Sequence, residues 1–403
     1  MYLLTNPWLR YAWGSVDLLP ALLHQRPDGR PVAEIWMGAH EALPSSIEVD
    51  GREVGLDVFV DGAPDTVLGA RTATTAEGHL PFMLKFLAAG QPLSLQVHPT
   101  REQAEEGYER EDAAGIPLGD PRRNYRDRAH KPEMLYALTP FEMMCGFRST
   151  DAIRVLLGEL QVPELAPILA RLGRADDAAI TPEGALKSSL TELLTMARPA
   201  QQDLIHAVVT SARARREDRP EYRFVGELAE NFPQDVGIVA ALFLHYVKVE
   251  PGESVYIGAG MVHSYIGGLG LELMATSDNV LRAGLTAKHV DIPELLRLVV
   301  FAPGGPERLE PTATGGASVY APPIQDFALW AYLPPTPGDF GTKVNLAPPA
   351  AGARIAVCCA GHCTLSRGTE RLVLQPGESA FIPDSDGPFE ISATGTVAVA
   401  YAP

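Results

Sequence analysis

Ser94-Leu95-Gln96-Val97-His98-Pro99 alternates polar with apolar side chains. In a β-strand, residues two apart share a face and lie ~6–7 Å from one another, so Ser94, Gln96 and His98 would line one side and Leu95 and Val97 the other. An ordinary half-exposed strand shows the same alternation; what separates the two readings is the company the segment keeps. Downstream, His130-Lys131-Pro132-Glu133 offers a base, a cation and a carboxylate just before the apolar run Met134-Leu135-Tyr136-Ala137-Leu138. Pro132 favours an extended Lys131, which makes this cluster the entry to a strand. Later, Gly258-Ala259-Gly260-Met261-Val262-His263 places a histidine after a glycine-rich turn that follows the strand-like Ser254-Val255-Tyr256-Ile257. Gln96, His98, Glu133 and His263 together make a nitrogen and oxygen donor set for a divalent ion. Imidazole and carboxylate suit zinc and other first-row metals, and an open position for water or substrate would suit catalysis.

These segments, with Tyr11-Ala12-Trp13-Gly14-Ser15, Ala33-Glu34-Ile35-Trp36-Met37-Gly38-Ala39-His40 and the stretch 272–286, resemble the type I phosphomannose isomerases in motif order. The resemblance is strongest over residues 1–148 and 232–300, weak in the middle, and only architectural in the last ninety or so residues. It implies a fold that is mainly β, with two cupin (jelly-roll) barrels and an α-helical insertion domain. It also implies a zinc enzyme, with one Zn2+ per chain, that interconverts mannose 6-phosphate and fructose 6-phosphate. The family's metal ligands fall on Gln96, His98, Glu133 and His263, and its active-site arginine on Arg282. Ser94, Lys85, Lys131, Glu272, Asp278, Tyr265 and Lys288 match positions lining its pocket. One departure is Ala287 in Thr286-Ala287-Lys288, where many members carry proline.

The chain pattern fits this organisation. The first hundred residues read as short extended runs such as Ser46-Ile47-Glu48-Val49 and Asp57-Val58-Phe59-Val60, spaced as in an antiparallel sandwich or barrel. Thr100-Arg101-Glu102-Gln103 has the form of a capping box opening a helix to about Glu111. From Thr150 to about Glu230, apolar residues recur at three- and four-residue intervals, for example Ile153, Leu156, Leu157 and Leu160, which predicts amphipathic helices punctuated by Pro163, Pro182 and Pro199. Strand character resumes at Leu242. Glu250-Pro251-Gly252-Glu253 and Gln375-Pro376-Gly377-Glu378 both read as turns between strands, as a duplicated unit would. The second copy carries Asp384-Ser385-Asp386 where the first offers the turn to His263, so the expected C-terminal cupin is metal-free. The expected boundaries are 1–148 and 232–312 for the catalytic cupin, 149–231 for the helical insertion and 313–403 for the C-terminal cupin-like domain.

At 403 residues, 46% hydrophobic and 21% charged, the composition is that of a globular protein with a sizeable core. The net charge of −17 argues against nucleic-acid binding, which needs a basic footprint. A phosphorylated small-molecule substrate must therefore meet a locally positive pocket, which Lys85, Lys131, Lys288 and Arg282 could supply. The N-terminus does not read as a signal peptide, and no apolar run reaches the ~20 residues needed to span a bilayer, so no membrane partner and a cytoplasmic location are the defaults. A monomer or weak homo-oligomer is expected. Cys358-Cys359-Ala360-Gly361-His362-Cys363 reads as a strand and turn with cysteine as a small hydrophobe, because adjacent cysteines on a strand face opposite ways.

Moving a proton between C1 and C2 of a sugar requires a cation beside the oxygens, a base near the carbon and an anchor for the phosphate. Arg282, read as lying in the non-periodic Ser277-Asp278-Asn279 loop segment, would offset charge in the enediolate. Lys85, alone in an apolar run, either snorkels to solvent or holds the phosphate with Ser94. Tyr265, Asp278 and Lys288 complete the substrate-binding set. Glu272 is the favoured base, its apolar neighbours raising its pKa; His130, Lys131 and metal-bound water compete for the role. An iron oxygenase with a facial triad and a non-catalytic sugar-phosphate sensor are the alternatives. His40, His79, His206, His245 and His289 read as surface or satisfied core positions.

Overall fold

The computed structural model describes residues 1–173, 180–334 and 343–403. Its centre is the thirteen-residue strand His263–Ala275, which pairs with four others. The first half lies between Leu95–Val97 and Phe141–Phe147, and the second between Phe82–Ala89 and Glu133–Ala137. The strand changes partners at Gly267 and Gly268. Gly268 has φ of 125°, and a Cβ there would lie 2.8 Å from Phe141 Cδ2, so only glycine lets the two halves meet at this corner. The interior side chains include Leu87, Leu135, Phe141, Met143, Cys145 and Tyr265. This is the barrel expected for the catalytic region.

The C-terminal region forms a second sandwich. A seven-stranded sheet that includes Arg354–Cys358, Val397–Tyr401 and Ala328–Tyr332 faces a four-stranded sheet that includes Cys363–Arg367 and Glu390–Ala393. Trp330, Cys358, Cys363, Leu365, Ile391 and Val399 fill the space between. The duplicated turns match closely. Glu253 Oε2 accepts from the Glu250 amide at 2.9 Å, and Glu378 Oε2 from the Gln375 amide at 2.8 Å, with Gly252 and Gly377 at φ of 88° and 87°. Cys358 ends a strand and His362 is exposed, so the cysteine cluster is packing. The opposite face of the seven-stranded sheet packs on the barrel through Phe327, Leu329, Ile355 and Phe381 against Phe82, Leu84 and Leu273.

Between them, helices Thr150–Glu159, Ala166–Gly173, Pro182–Thr195, Arg198–Ala214 and Pro220–Asn231 occupy the predicted stretch. Leu157, Leu190, Leu204 and Leu228 form one core with Leu95, Val97, Leu281 and Ala283. The helices therefore cover the apolar side of the strand quoted at the outset. The capping box is present, with Thr100 and Gln103 bonding each other's amides at the start of Arg101–Ala113.

Three expectations are corrected. Residues 57–60 lie in the helix Leu56–Gly62, not in an extended run: Leu56 and Val60, four apart, are buried while Val58 is 61% exposed, which is a helical period. The strand after the helices begins at Leu244, with Ala241–Phe243 a short 3₁₀ turn. Tyr2–Leu3 pairs with Ser379–Ile382, so the chain begins in the C-terminal sheet before entering the barrel.

Candidate metal centre and active site

Gln96 sits on Leu95–Val97 with its buried neighbours pointing into the helical core, and it stands directly across from His263 on one side and Arg282 on the other. Directly opposed residues of an antiparallel pair project to the same face, so three strands present Gln96, His263 and Arg282 together. His98 and Glu133 arrive from the ends of adjacent segments. His98 Nε2 lies 3.2 Å from Glu133 Oε1, and His263 Nε2 lies 3.2 Å from Glu133 Oε2 and 3.2 Å from the Gln96 amide nitrogen. The opposite amide orientation places Oε1 there instead.

Both imidazoles are oriented by main-chain carbonyls. His98 Nδ1 donates to Asn279 O at 2.7 Å and His263 Nδ1 to Met261 O at 3.1 Å, which leaves both Nε2 lone pairs converging on one point. His98 Nε2 and Glu133 Oε2 are fully buried and lack a hydrogen-bond partner. Orphaned buried acceptors of this kind are costly unless a cation joins them, and two imidazoles, a carboxylate and an amide suit a divalent ion. Burial opposes ionisation of Glu133, yet His98 and Lys131 beside it hold its carboxyl well below the usual range. Burial also lowers the pKa of His98, which favours the neutral form that ligates.

The other expected residues are arranged around this point. Lys131 Nζ lies 3.3 Å from Glu133 Oε1. Tyr265 is wholly buried with its hydroxyl unpartnered, and burial followed by nearby Glu272 and Glu133 holds that hydroxyl neutral. A pairing shift between Tyr265 and Gly267 changes the alternation, so the odd residues 263 and 265 and the even residue Glu272 meet on one side. Asp278 carries His40 Nε2 at 3.3 Å, and this ring beside it holds its carboxyl below the ordinary value. Ser94 is half-buried at the lead-in to the strand.

Three expected residues occupy different settings from those read in the sequence. Arg282 is not on a loop but on the strand Leu281–Gly284, because pairing with Leu95–Val97 orders it. Lys85 neither snorkels nor stands free. Its ammonium donates to Glu272 Oε2 at 2.9 Å, with Glu34 Oε1 at 3.9 Å; burial works against the charge, but the two carboxylates raise its pKa above the ordinary value. His130 turns away from the metal ligands. As the neighbour of Lys131 in an extended segment it faces the other way, and its Nε2 bonds Asp326 Oδ1 at 2.8 Å next to the C-terminal sheet.

Residues missed in the sequence include Glu34 and Trp36, whose indole donates to Glu34 Oε2 at 2.8 Å, and Asp127. Asp127 accepts from Ser277 Oγ, Asn279 Nδ2 and the Asp278 amide, at 2.8, 3.0 and 2.8 Å, and so shapes the loop whose carbonyl orients His98.

Removing Lys85 would leave Glu272 and Glu34 buried together without a cation. Lys85→Ala is accordingly expected to lose about 3–5 kcal/mol of stability, well beyond a simple loss of substrate contact. Chemical denaturation of Lys85→Ala beside Lys85→Ala/Glu272→Gln tests this, with the double variant recovering part of the loss.

Comparison with known proteins settles the family. The model for the phosphomannose isomerase type I catalytic domain matches residues 1–150, and that for the mannose-6-phosphate isomerase cupin domain matches 347–402. The mannose-6-phosphate isomerase of Escherichia coli K12 is 36% identical over 405 residues, covering 100% of this chain and 99% of its own. The chain belongs to the type I phosphomannose isomerase family. The bovine mannose-6-phosphate isomerase is 33% identical over 79% of each chain. A solved phosphomannose isomerase variant from Salmonella typhimurium superposes with a TM-score of 0.89 at 35% identity, covering 100% of this chain and 99% of that one. A zinc-bound mannose 6-phosphate isomerase superposes at 0.88 and 34% identity, with the same coverage. The full-length relatives extend the family across the helical middle and the strands carrying His263 and Arg282, which neither family model covers.

Proposed function

We propose that the protein is a zinc-dependent aldose-ketose isomerase that interconverts mannose 6-phosphate and fructose 6-phosphate, with Gln96, His98, Glu133 and His263 holding one Zn2+ per chain. The single observation that carries this reading is the convergence of two oriented Nε2 atoms and an orphaned Glu133 oxygen, in a chain related over its whole length to mannose-6-phosphate isomerases. When bound, zinc supplies Lewis acidity beside the sugar oxygens.

The chain's own residues do the rest. Arg282, on the same face as Gln96, offsets charge as the enediolate forms between C1 and C2. Glu272, whose Oε2 accepts from the Lys85 ammonium at 2.9 Å, takes the proton from one carbon and returns it to the other. Tyr265, with its free hydroxyl, and Lys131 complete the wall around the reacting carbons. Arg282 and Lys288 have no carboxylate partner recorded among the described residues, and each is lowered in pKa by burial and by cationic neighbours, including Arg126. This makes the edge beyond Arg282 the place for the phosphate, with Lys288 and Ser94 as its anchors and Asp278 bounding the sugar. Lys85 acts through Glu272, and His130 through the contact with Asp326. The facial-triad reading loses ground because a fourth group, the Gln96 amide, stands 3.2 Å from His263 Nε2.

A single-chain or weakly self-associating cytoplasmic enzyme is part of the same proposal. No helix among the described residues is long and apolar enough to cross a membrane. The division at 148, 231 and 312 is retained for function, with two qualifications: Tyr2–Leu3 pairs in the C-terminal sheet, and the helical segment shares its core with the barrel and is not packed independently.

Turnover in deuterium oxide tests the chemistry. Fructose 6-phosphate formed from mannose 6-phosphate should carry deuterium at C1 in part of the product, as proton transfer through a base that exchanges with solvent requires. Product with no deuterium over repeated turnovers would point to hydride transfer instead.

A further inference from the structure

Lys288 depends on a short, strained turn. The strand Leu281–Gly284 ends at Gly284 with φ of 140°, and Leu285 follows in the left-handed region at φ of 55°, which a branched side chain rarely occupies. What holds this turn comes from the connection that follows the last insertion helix, Pro220–Asn231. Asp235 Oδ2 accepts from the Thr286 amide at 3.0 Å, while Oδ1 accepts from the Gly237 amide at 2.7 Å. Thr286 Oγ1 in turn accepts from the Lys288 amide at 3.0 Å. Gly237 and Gly284 are back to back; a Cβ on Gly284 would lie 2.8 Å from Gly237 Cα, so the two segments touch with nothing between them. The turn borders an open cleft of about 790 Å3, whose lining includes Asp235, Thr286 and Lys288 beside Met196, Arg198 and Phe232, while Leu285 is buried in the core.

We propose that Asp235 is a positioning residue for the anion: by bonding the Thr286 amide it fixes turn 284–288, and with it the Lys288 ammonium, in the place that receives the substrate phosphate. The inference rests on the sugar-phosphate reading and adds a residue outside the pocket to it. It gives the connection after the helical segment a part in the site. The expected sign is opposite to that of simple electrostatics. Removing a negative charge should by itself favour anion binding, if it has any effect, whereas loosening the turn weakens it by the fraction of chains that still hold the competent form.

The test uses the zinc-loaded full chain and two readouts, steady-state kinetics with mannose 6-phosphate and calorimetric binding of inorganic phosphate. For Asp235→Ala, KM and the phosphate Kd should both rise on the order of tenfold, as expected if about a tenth of the chains keep the competent turn, with kcat within about twofold and zinc content unchanged. Asp235→Asn, which keeps one acceptor, should fall between, and serves if the alanine variant does not fold. Ala287→Pro placed on Asp235→Ala should recover part of the loss. The Ala287 amide has no recorded hydrogen bond among the described residues, and proline stiffens the turn by another route. Unchanged or tighter phosphate binding in Asp235→Ala overturns the inference. So does a loss of kcat, zinc and thermal stability together that Ala287→Pro cannot relieve, since that is a general folding defect. Wild-type protein that binds phosphate in this Asp235-dependent way but turns over no sugar would leave the inference standing and remove the isomerase reading.

Discussion

His263→Ala is expected to purify without stoichiometric metal and to show no measurable isomerisation. His263 is fully buried, its Nδ1 is fixed by the Met261 carbonyl, and its Nε2 faces both Gln96 and Glu133. Alanine removes one of two imidazoles and opens a gap that no other donor can reach. His362→Ala serves as the comparison, because His362 is exposed on the C-terminal sandwich, and it should keep both metal and activity. Elemental analysis of the two variants decides the matter. Full metal and full activity in His263→Ala would mean that the ion is held elsewhere.

Arg282→Ala is expected to keep its metal and to lose kcat by roughly 10²–10³, corresponding to ~2.7–4 kcal/mol for a lost charge-stabilising donor. Arg282 stands across from Gln96, so it is beside the ligands without being one. An interaction made only as charge develops lowers kcat and kcat/KM together, whereas loss of uniform binding raises KM alone. Lysine in its place should restore little, because a point charge cannot span two oxygens as the guanidinium fork does. A defect confined to KM would move Arg282 into the phosphate anchor beside Lys288.

The convergence of His98, Glu133 and His263, with Gln96 opposite His263, was legible because side-chain type and period-two alternation are local properties. The alternation at 94–98 and the histidine after a glycine turn both survive in a linear reading. What orients them is not local. The Asn279 and Met261 carbonyls are main-chain atoms with no signature in the residue type, and Asp127 shapes the loop carrying Asn279 from some 150 residues away. Lys85 was read as a lone cation because its partner stands opposite only once Lys85 and Glu272 are in register across two strands. The barrel, the helices and the repeated Pro-Gly-Glu turn were accessible through periodicity. The helix at Leu56–Gly62 was not, since four residues that include three apolar ones fit either period. The pairing of Tyr2–Leu3 with the last sheet depends on contacts spanning nearly the whole chain, which no local pattern encodes.

One measurement bears most directly on the account: a coupled assay for fructose 6-phosphate formed from mannose 6-phosphate, run on a sample whose metal content is determined in parallel, before and after strong chelation and again after zinc is restored. The account predicts about one zinc per chain, turnover that disappears with the metal, and recovery in proportion to the zinc returned. Undiminished turnover in a sample shown to hold no stoichiometric metal would contradict it.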